Sequence, residues 1–149
     1  MSTEPLIPYS TTIHVRDTCL CLHAQRAARA LARRFDTALK ALGLTNGQFS
    51  LMMALNRPEP PPMGPVAHLL AMDRTTLTAA LKPLERRGWV SIETDPKDRR
   101  GKRLRLTADG AAVLSAAVPI WRETHAAVEA ELSSGDPDGL RRDLLEIGR

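Results

Sequence analysis

The side chains best suited to chemistry lie in one short run. Lys97 to Arg105 (KDRRGKRLR) holds six basic residues and one acid, a local charge of +5, whereas the whole chain carries +4. The rest of the chain therefore sums to −1, and the positive excess reads as a footprint for a polyanion rather than a diffuse solubility charge. A second set, Arg74, Thr75, Thr76, Thr78, Lys82 and Arg86, places donors along a stretch of helical period. Hydroxyl and guanidinium groups of this kind contact base edges and phosphates of duplex DNA. The plainer alternatives are a solvated loop for the first set and an ordinary exposed helix face for the second.

Thiols and imidazoles form a third set. Cys19 and Cys21 are the only cysteines, and His14, His23, His68 and His125 are scattered. Cys19 and His23, four residues apart, offer two ligands where a structural zinc needs four, so neither a metal nor a cofactor is expected. Two positions on a helix differ by about 200°, so the cysteines would not pair there. Cys21 shares a face with Ala28, Ala32, Phe35 and Leu39 and is expected to be buried. An enzyme using Cys19 or Cys21 with His23 is the rival reading. Against it, the sequence has no Gly-rich phosphate loop, nucleophile elbow, clustered carboxylate pair or metal triad.

Elements must position these groups, and the hydrophobic pattern supplies them. Residues 1–13 have no period and read as a flexible arm. Leu20, Ala24, Ala28, Leu31, Phe35, Leu39 and Leu42 recur at three- and four-residue steps, predicting one long helix from Asp17 to Leu42, ended by Gly43. Thr45 and Gln48 form a capping-box pattern opening a second helix, with Phe49, Met52, Met53 and Leu55 as its apolar face. Four prolines between Arg57 and Met63 make a connection. A short helix over Pro65–Ala71 should bury Val66, Leu69 and Leu70. Asp73 is suited to cap the next helix, Arg74–Arg87, with Leu77, Leu81 and Leu84 inward. Pro83 in its interior removes a backbone bond, and a local bend is expected there.

From Trp89 the period becomes two. Trp89–Thr94 and Arg103–Thr107 alternate as strands, and Asp95–Lys102 between them has the composition of a hairpin tip. Thr107 caps a long helix whose Leu114, Val118, Trp121, His125, Val128 and Leu132 form an apolar stripe suited to a core or a dimer seam. His125 is expected to pack at such an interface. Asp136 and Pro137 start a last helix.

Composition sets the outer bounds. With 149 residues, 43% hydrophobic and 26% charged, the chain is of globular rather than disordered type. No apolar run approaches membrane-spanning length, the N-terminus lacks a secretory plan, and two cysteines make no disulfide framework. A cytoplasmic protein is expected.

Helix, turn, helix, then a two-stranded ribbon with a basic tip is the winged helix-turn-helix arrangement: mainly α with a small β-ribbon, flanked by long N- and C-terminal dimerisation helices. A helix fits the major groove, a basic ribbon the minor groove beside it. The domain reading is an arm at 1–13, a dimerisation helix at 14–44, the DNA-binding module at 45–107 and C-terminal dimerisation helices at 108–149. The surplus apolar helix outside the winged module is what calls for a second copy.

The sequence resembles the MarR family of transcriptional regulators over nearly its whole length. The carrying residues are Asp73-Arg74-Thr75-Thr76-Leu77-Thr78, Leu84-Glu85-Arg86-Arg87-Gly88-Trp89-Val90 and Asp95-Pro96-Lys97-Asp98-Arg99-Arg100. The family's wing signature DxRxxxxxLT is met at Asp98, Arg100, Leu106 and Thr107. The resemblance implies a homodimeric repressor of a pseudo-palindromic DNA site, relieved by a small-molecule effector, often an aromatic anion. It implies Arg100 as the wing-tip arginine in the minor groove and Asp98 as a carboxylate orienting arginines. It puts Arg74, Thr75, Thr76 and Thr78 at the major groove. Lys82, Arg86, Lys97, Arg99, Lys102 and Arg103 would contact phosphate. Some such regulators sense hydroperoxides through a first-helix cysteine, and Cys21 stands at the matching place. The tyrosines that surround that thiolate are replaced here by Gln25, Phe35 and Asn46. Two alternatives therefore stand: a thiol-based regulator using Cys21, and a winged-helix interaction adaptor that binds no DNA.

Overall fold

A computed structural model describes residues 6–149; the first five residues of the expected arm lie outside the described part. The chain runs α1 (Tyr9–Thr18), α2 (Leu20–Leu39), α3 (Asn46–Leu55), α4 (Met63–Leu69), α5 (Arg74–Arg86), β1 (Val90–Thr94), β2 (Lys102–Leu106), α6 (Ala108–Ala130) and α7 (Pro137–Ile147). This is the mainly helical architecture with one antiparallel ribbon read from the sequence.

The first helix differs from expectation. Helix begins at Tyr9, directly after Pro8, so residues 9–13 are not an unstructured arm. The single helix Asp17–Leu42 is instead divided at Cys19, whose ψ of 110° is extended. Its thiol accepts from the Leu22 amide at 3.4 Å and so caps α2. At the far end the helix tightens into a 3-10 turn over Lys40–Leu42, and Gly43 closes it at φ 69°. A left-handed residue there satisfies the final carbonyls at no steric cost only if it is glycine.

Local capping elsewhere follows the sequence. Thr45 and Gln48 form the reciprocal box that starts α3, and the Asp73 carboxylate accepts from the Thr76 amide at 2.7 Å to start α5. Helix α5 continues unbroken across Pro83 to Arg86. Thr107 and Asp136 cap α6 and α7.

The core joins α3, α4, α5, the ribbon and the middle of α6. Leu39, Met52, Val66, Leu77, Leu81, Leu84 and Leu104 are fully enclosed. Two apolar faces differ from the periodic expectation: Met53 and Leu69 are exposed, while Leu51 and Ala67 are buried in their place. Helix α3 is enclosed on most sides, so its apolar residues carry no clean stripe.

Ribbon register pairs Val90 with Leu106, Ile92 with Leu104 and Glu93 with Arg103. Period two sends Val90, Ile92 and Leu104 to the core and Ser91, Glu93 and Arg105 away from it. The free side of β2 is lined by Pro60–Pro62: the Leu104 amide donates to the Pro61 carbonyl at 2.9 Å, and Pro62 bridges to Arg103. Ribbon and α6 meet at Gly110, where an added Cβ would lie 2.1 Å from the Trp89 carbonyl oxygen. The Thr107 hydroxyl ties the same corner by donating to the Gly88 carbonyl at 2.7 Å. Helices α1 and α7 bury no residue within the chain.

Candidate nucleic-acid interface

Helix α5 presents its polar set outward. Arg74, Thr75, Thr76, Thr78, Lys82 and Arg86 are all exposed, while Leu77, Leu81 and Leu84 anchor the opposite face. Arg74, Thr78, Lys82 and Arg86 recur every fourth residue, turning by only about 40° per step, so they make one stripe along the helix. The Thr78 hydroxyl donates back to the Arg74 carbonyl at 2.8 Å. The Thr76 backbone amide holds the Asp73 carboxyl below the usual carboxylate range, and the negative cap complements the positive end of the helix dipole.

At the ribbon tip the basic residues divide into two groups. Lys97, Arg99, Arg100 and Lys102 are exposed, and none takes part in an ion pair among the described residues. Arg103 and Arg105 are committed to carboxylates: Arg105 Nε lies 2.8 Å from Glu93 Oε1, and Arg103 Nε lies 3.1 Å from Asp95 Oδ2. Arg103 is held a second time, its guanidinium also donating to the Pro60 carbonyl at 3.2 Å, so a phosphate contact there would compete with two bonds already made.

Asp98 also behaves differently from expectation. Its carboxylate accepts from the backbone amide of Arg100 at 3.0 Å rather than from a guanidinium. Its carbonyl accepts from Gly101 N at 2.9 Å. Asp98 therefore folds the turn that projects Arg100, and no guanidinium pairs with it among the described residues.

Of the two acids that hold an arginine in the hairpin, Glu93 is exposed and Asp95 is buried. The Lys97 amide, donating at 2.9 Å, and the neighbouring Arg103 hold its carboxyl below the ordinary range. The sequence marks Asp95 only as the Asp-Pro pair opening the tip, the usual composition of a side-chain-capped turn, and not as an arginine's partner.

Stripe and tip converge on one cleft of about 270 Å³, lined by Arg74 and Thr78 from α5, by Arg100 and Lys102 from the wing, and by Gly64. A Cβ on Gly64 would come within 3.7 Å of the Arg74 guanidinium. A second unforeseen brace is Arg87: its guanidinium donates to the Gly43 carbonyl and lies 4.6 Å from the Trp89 ring centroid. It fastens the end of α5 to the α2–α3 junction, and nothing in its local sequence marks it. Asp36 secures that junction too, accepting from the Asn46 amide at 2.7 Å and its side chain at 2.9 Å.

The remaining candidates lie elsewhere. Cys21 is exposed in the single chain, not buried as its helical face suggested, and the Gln25 amide donates to its sulfur at 3.3 Å. Within the single chain Phe35 and Asn46 line a separate cavity of about 210 Å³ with Leu39, Phe49, Trp121 and His125. There the Trp121 ring is stacked on His125 at 4.6 Å, and His125 Nδ1 lies 2.9 Å from Glu129. No group of three potential metal ligands comes together among the described residues. No helix described is long and apolar enough to cross a membrane.

Comparison with known proteins agrees with this geometry. A profile described as the MarR family matches residues 44–102. The transcriptional activatory protein BadR of Rhodopseudomonas palustris is 30% identical over 126 residues, 82% of this chain and 72% of that protein. The transcriptional regulator MosR of M. tuberculosis, solved in complex with DNA, is 40% identical with a TM-score of 0.81, covering 88% of this chain and 94% of its own. The PcaV transcriptional regulator of Streptomyces coelicolor, solved with its natural ligand, is 25% identical with a TM-score of 0.76, covering 87% and 91%. With the polar face of α5 and a basic wing opening on one cleft, and with relatives of this extent, the chain belongs to the MarR family of winged helix-turn-helix transcriptional regulators.

Proposed function

We propose that two copies of this chain bind a two-fold-related DNA site, with α5 in the major groove and the wing tip in the adjacent minor groove, and repress transcription until a small molecule releases them. The observation that carries the reading is the shared cleft: Arg74 and Thr78 of the helix line it together with Arg100 and Lys102 of the wing. Helix and wing are thus set to grip one duplex together. In this reading Thr75, Thr76 and Thr78 contact bases, whereas Lys82, Arg86, Lys97, Arg99 and Lys102 contact phosphate. The dimerisation modules are residues 14–44 and 108–149. Support comes from the exposed apolar side chains of the terminal helices, including Tyr9, Val15, Leu140, Leu144, Leu145 and Ile147. Exposed apolar surface on helices that bury nothing of their own is costly in water unless a partner covers it. Two-fold symmetry then gives a pseudo-palindromic site.

The effector site in this reading is the cavity lined by Phe35, Phe49, Trp121 and His125 between α2, α3 and α6. Its aromatic walls suit a flat aromatic ligand, and the PcaV relative solved with its natural ligand supports a ligand-responsive chain.

Duplex binding measured against salt tests the reading. Affinity should fall steeply as salt rises, and Arg100→Ala should weaken binding by about 1–3 kcal/mol with the oligomeric state unchanged. Absence of binding at low salt would leave the interaction-adaptor reading in its place.

A further inference from the structure

Arg103 is the one cation of the hairpin, from Lys97 to Arg105, that is half-buried rather than exposed. Its side chain is 30% exposed, against 50% for Arg105, and its partner Asp95 is only 12% exposed. Both carboxylate oxygens of Asp95 are in use: Oδ1 accepts from the Lys97 amide at 2.9 Å, and Oδ2 accepts from Arg103 Nε at 3.1 Å. The same guanidinium reaches across to the Pro60 carbonyl at 3.2 Å. One planar fork therefore joins the base of the wing tip, strand β2 and the proline strip. That strip runs directly into Met63 and Gly64, which lie against Arg74 in the cleft.

Electrostatics alone gives no reason for this acid. A carboxylate at the root of a basic tip lowers the positive potential that attracts a polyanion. Its retention is explained by geometry, since a guanidinium with two fixed acceptors is held in one orientation, which a lysine ammonium cannot reproduce.

We propose that Asp95 and Arg103, with the Pro60 carbonyl, form a positioning clamp that sets Arg100 opposite Arg74 and Thr78, and that Arg103 itself makes no DNA contact. The proposal rests on the DNA-binding reading above.

The test uses full-length protein and a duplex that the unsubstituted protein selects from a random-sequence pool, with binding followed by fluorescence anisotropy at several salt concentrations. Asp95→Asn removes a negative charge near the DNA, which should tighten binding if charge alone matters. The clamp requires the opposite, a loss of roughly fivefold, the scale of one net hydrogen bond. Arg103→Lys keeps the charge but cannot span both acceptors. It should lose a similar factor with its salt slope unchanged, whereas a phosphate contact would largely survive the exchange. In an Arg100→Ala background both losses should nearly vanish, because the clamp acts through Arg100; a general loss of stability would weaken both backgrounds alike. Circular dichroism checks folding, and if Asp95→Asn does not fold, Arg103→Lys carries the test. Unsubstituted protein that binds while Asp95→Asn or Arg103→Lys binds equally well overturns the clamp alone, as do losses that persist in full without Arg100. Unsubstituted protein that binds no duplex at low salt overturns the DNA reading and the clamp with it.

Discussion

Gly110→Ala inverts an ordinary rule. Within a helix, glycine to alanine stabilises by about 1 kcal/mol, because alanine loses less conformational freedom on folding. At Gly110 the new methyl would sit 2.1 Å from the Trp89 carbonyl oxygen, 2.9 Å from its carbon and 3.0 Å from Leu106 Cδ1. A carbon–oxygen contact rests at about 3.3 Å, so the first turn of α6 and the start of β1 must separate by about 1 Å. The two nearest of these atoms are backbone and cannot rotate away. They are further pinned by the Thr107 amide, which donates to Trp89 O at 3.1 Å. Overpacking of this kind costs about 3 kcal/mol at the upper end of its usual range. Set against the helix gain, the net loss is about 2 kcal/mol, or about 4–8 °C in Tm for a chain of this size. Urea and thermal unfolding at one fixed protein concentration measure it. Gly47→Ala, in the first turn of α3 with nothing within 4 Å of its added Cβ, is the control and should be neutral or slightly stabilising. A Gly110→Ala protein as stable as the unsubstituted chain would refute the steric argument.

Thr107→Ala removes both the cap of α6 and the bond to Gly88 O, and should cost about 1–2 kcal/mol in urea unfolding while loosening the wing. Asp36, Asp73 and Asp95 are all held below the usual carboxylate range, chiefly by the backbone amides of Asn46, Thr76 and Lys97. Their folded form binds protons less readily than the unfolded chain. The stability they contribute is therefore complete above the ordinary aspartate range near pH 4 and is lost as pH falls through the lowered folded values. Urea midpoints from about pH 6 to about pH 3 should fall accordingly, and Asp36→Asn should flatten that fall. Leu145→Asp on α7, where the native side chain is 71% exposed, should shift the sedimenting species from a dimer to a single chain while leaving the helical content of each chain in place.

The parts legible in the sequence are those whose physics is local. Capping at Thr45, Asp73, Thr107 and Asp136 involves atoms within three residues, and so it can be read directly from residue order. Alternation through Val90, Ile92 and Leu104 likewise announces a ribbon with one buried face. What stayed hidden depends on partners far along the chain. Nothing near Arg103 announces that the Pro60 carbonyl will receive its guanidinium, and nothing near Arg87 announces Gly43. A net charge of +5 counted Arg103 and Arg105 as free, and only folding shows that two carboxylates take them. The break at Cys19 carries no local mark, because no proline or glycine stands near it and a thiol is a weak capping group. Met53 and Leu69 were misplaced because a helix enclosed on several sides, or only two turns long, has too little asymmetry for a period to reveal.

Three consecutive prolines along β2 also decide whether the ribbon can grow. A strand edge normally offers a ladder of amide hydrogens to any extended chain that drifts past, and this is how sheets recruit neighbours and begin to aggregate. Here the outermost strip on that side, Pro60–Pro62, has no amide hydrogens to offer. Strand addition therefore ends at that strip, and the protein can hold a cationic hairpin out in solvent with that flank closed to fibre-like stacking.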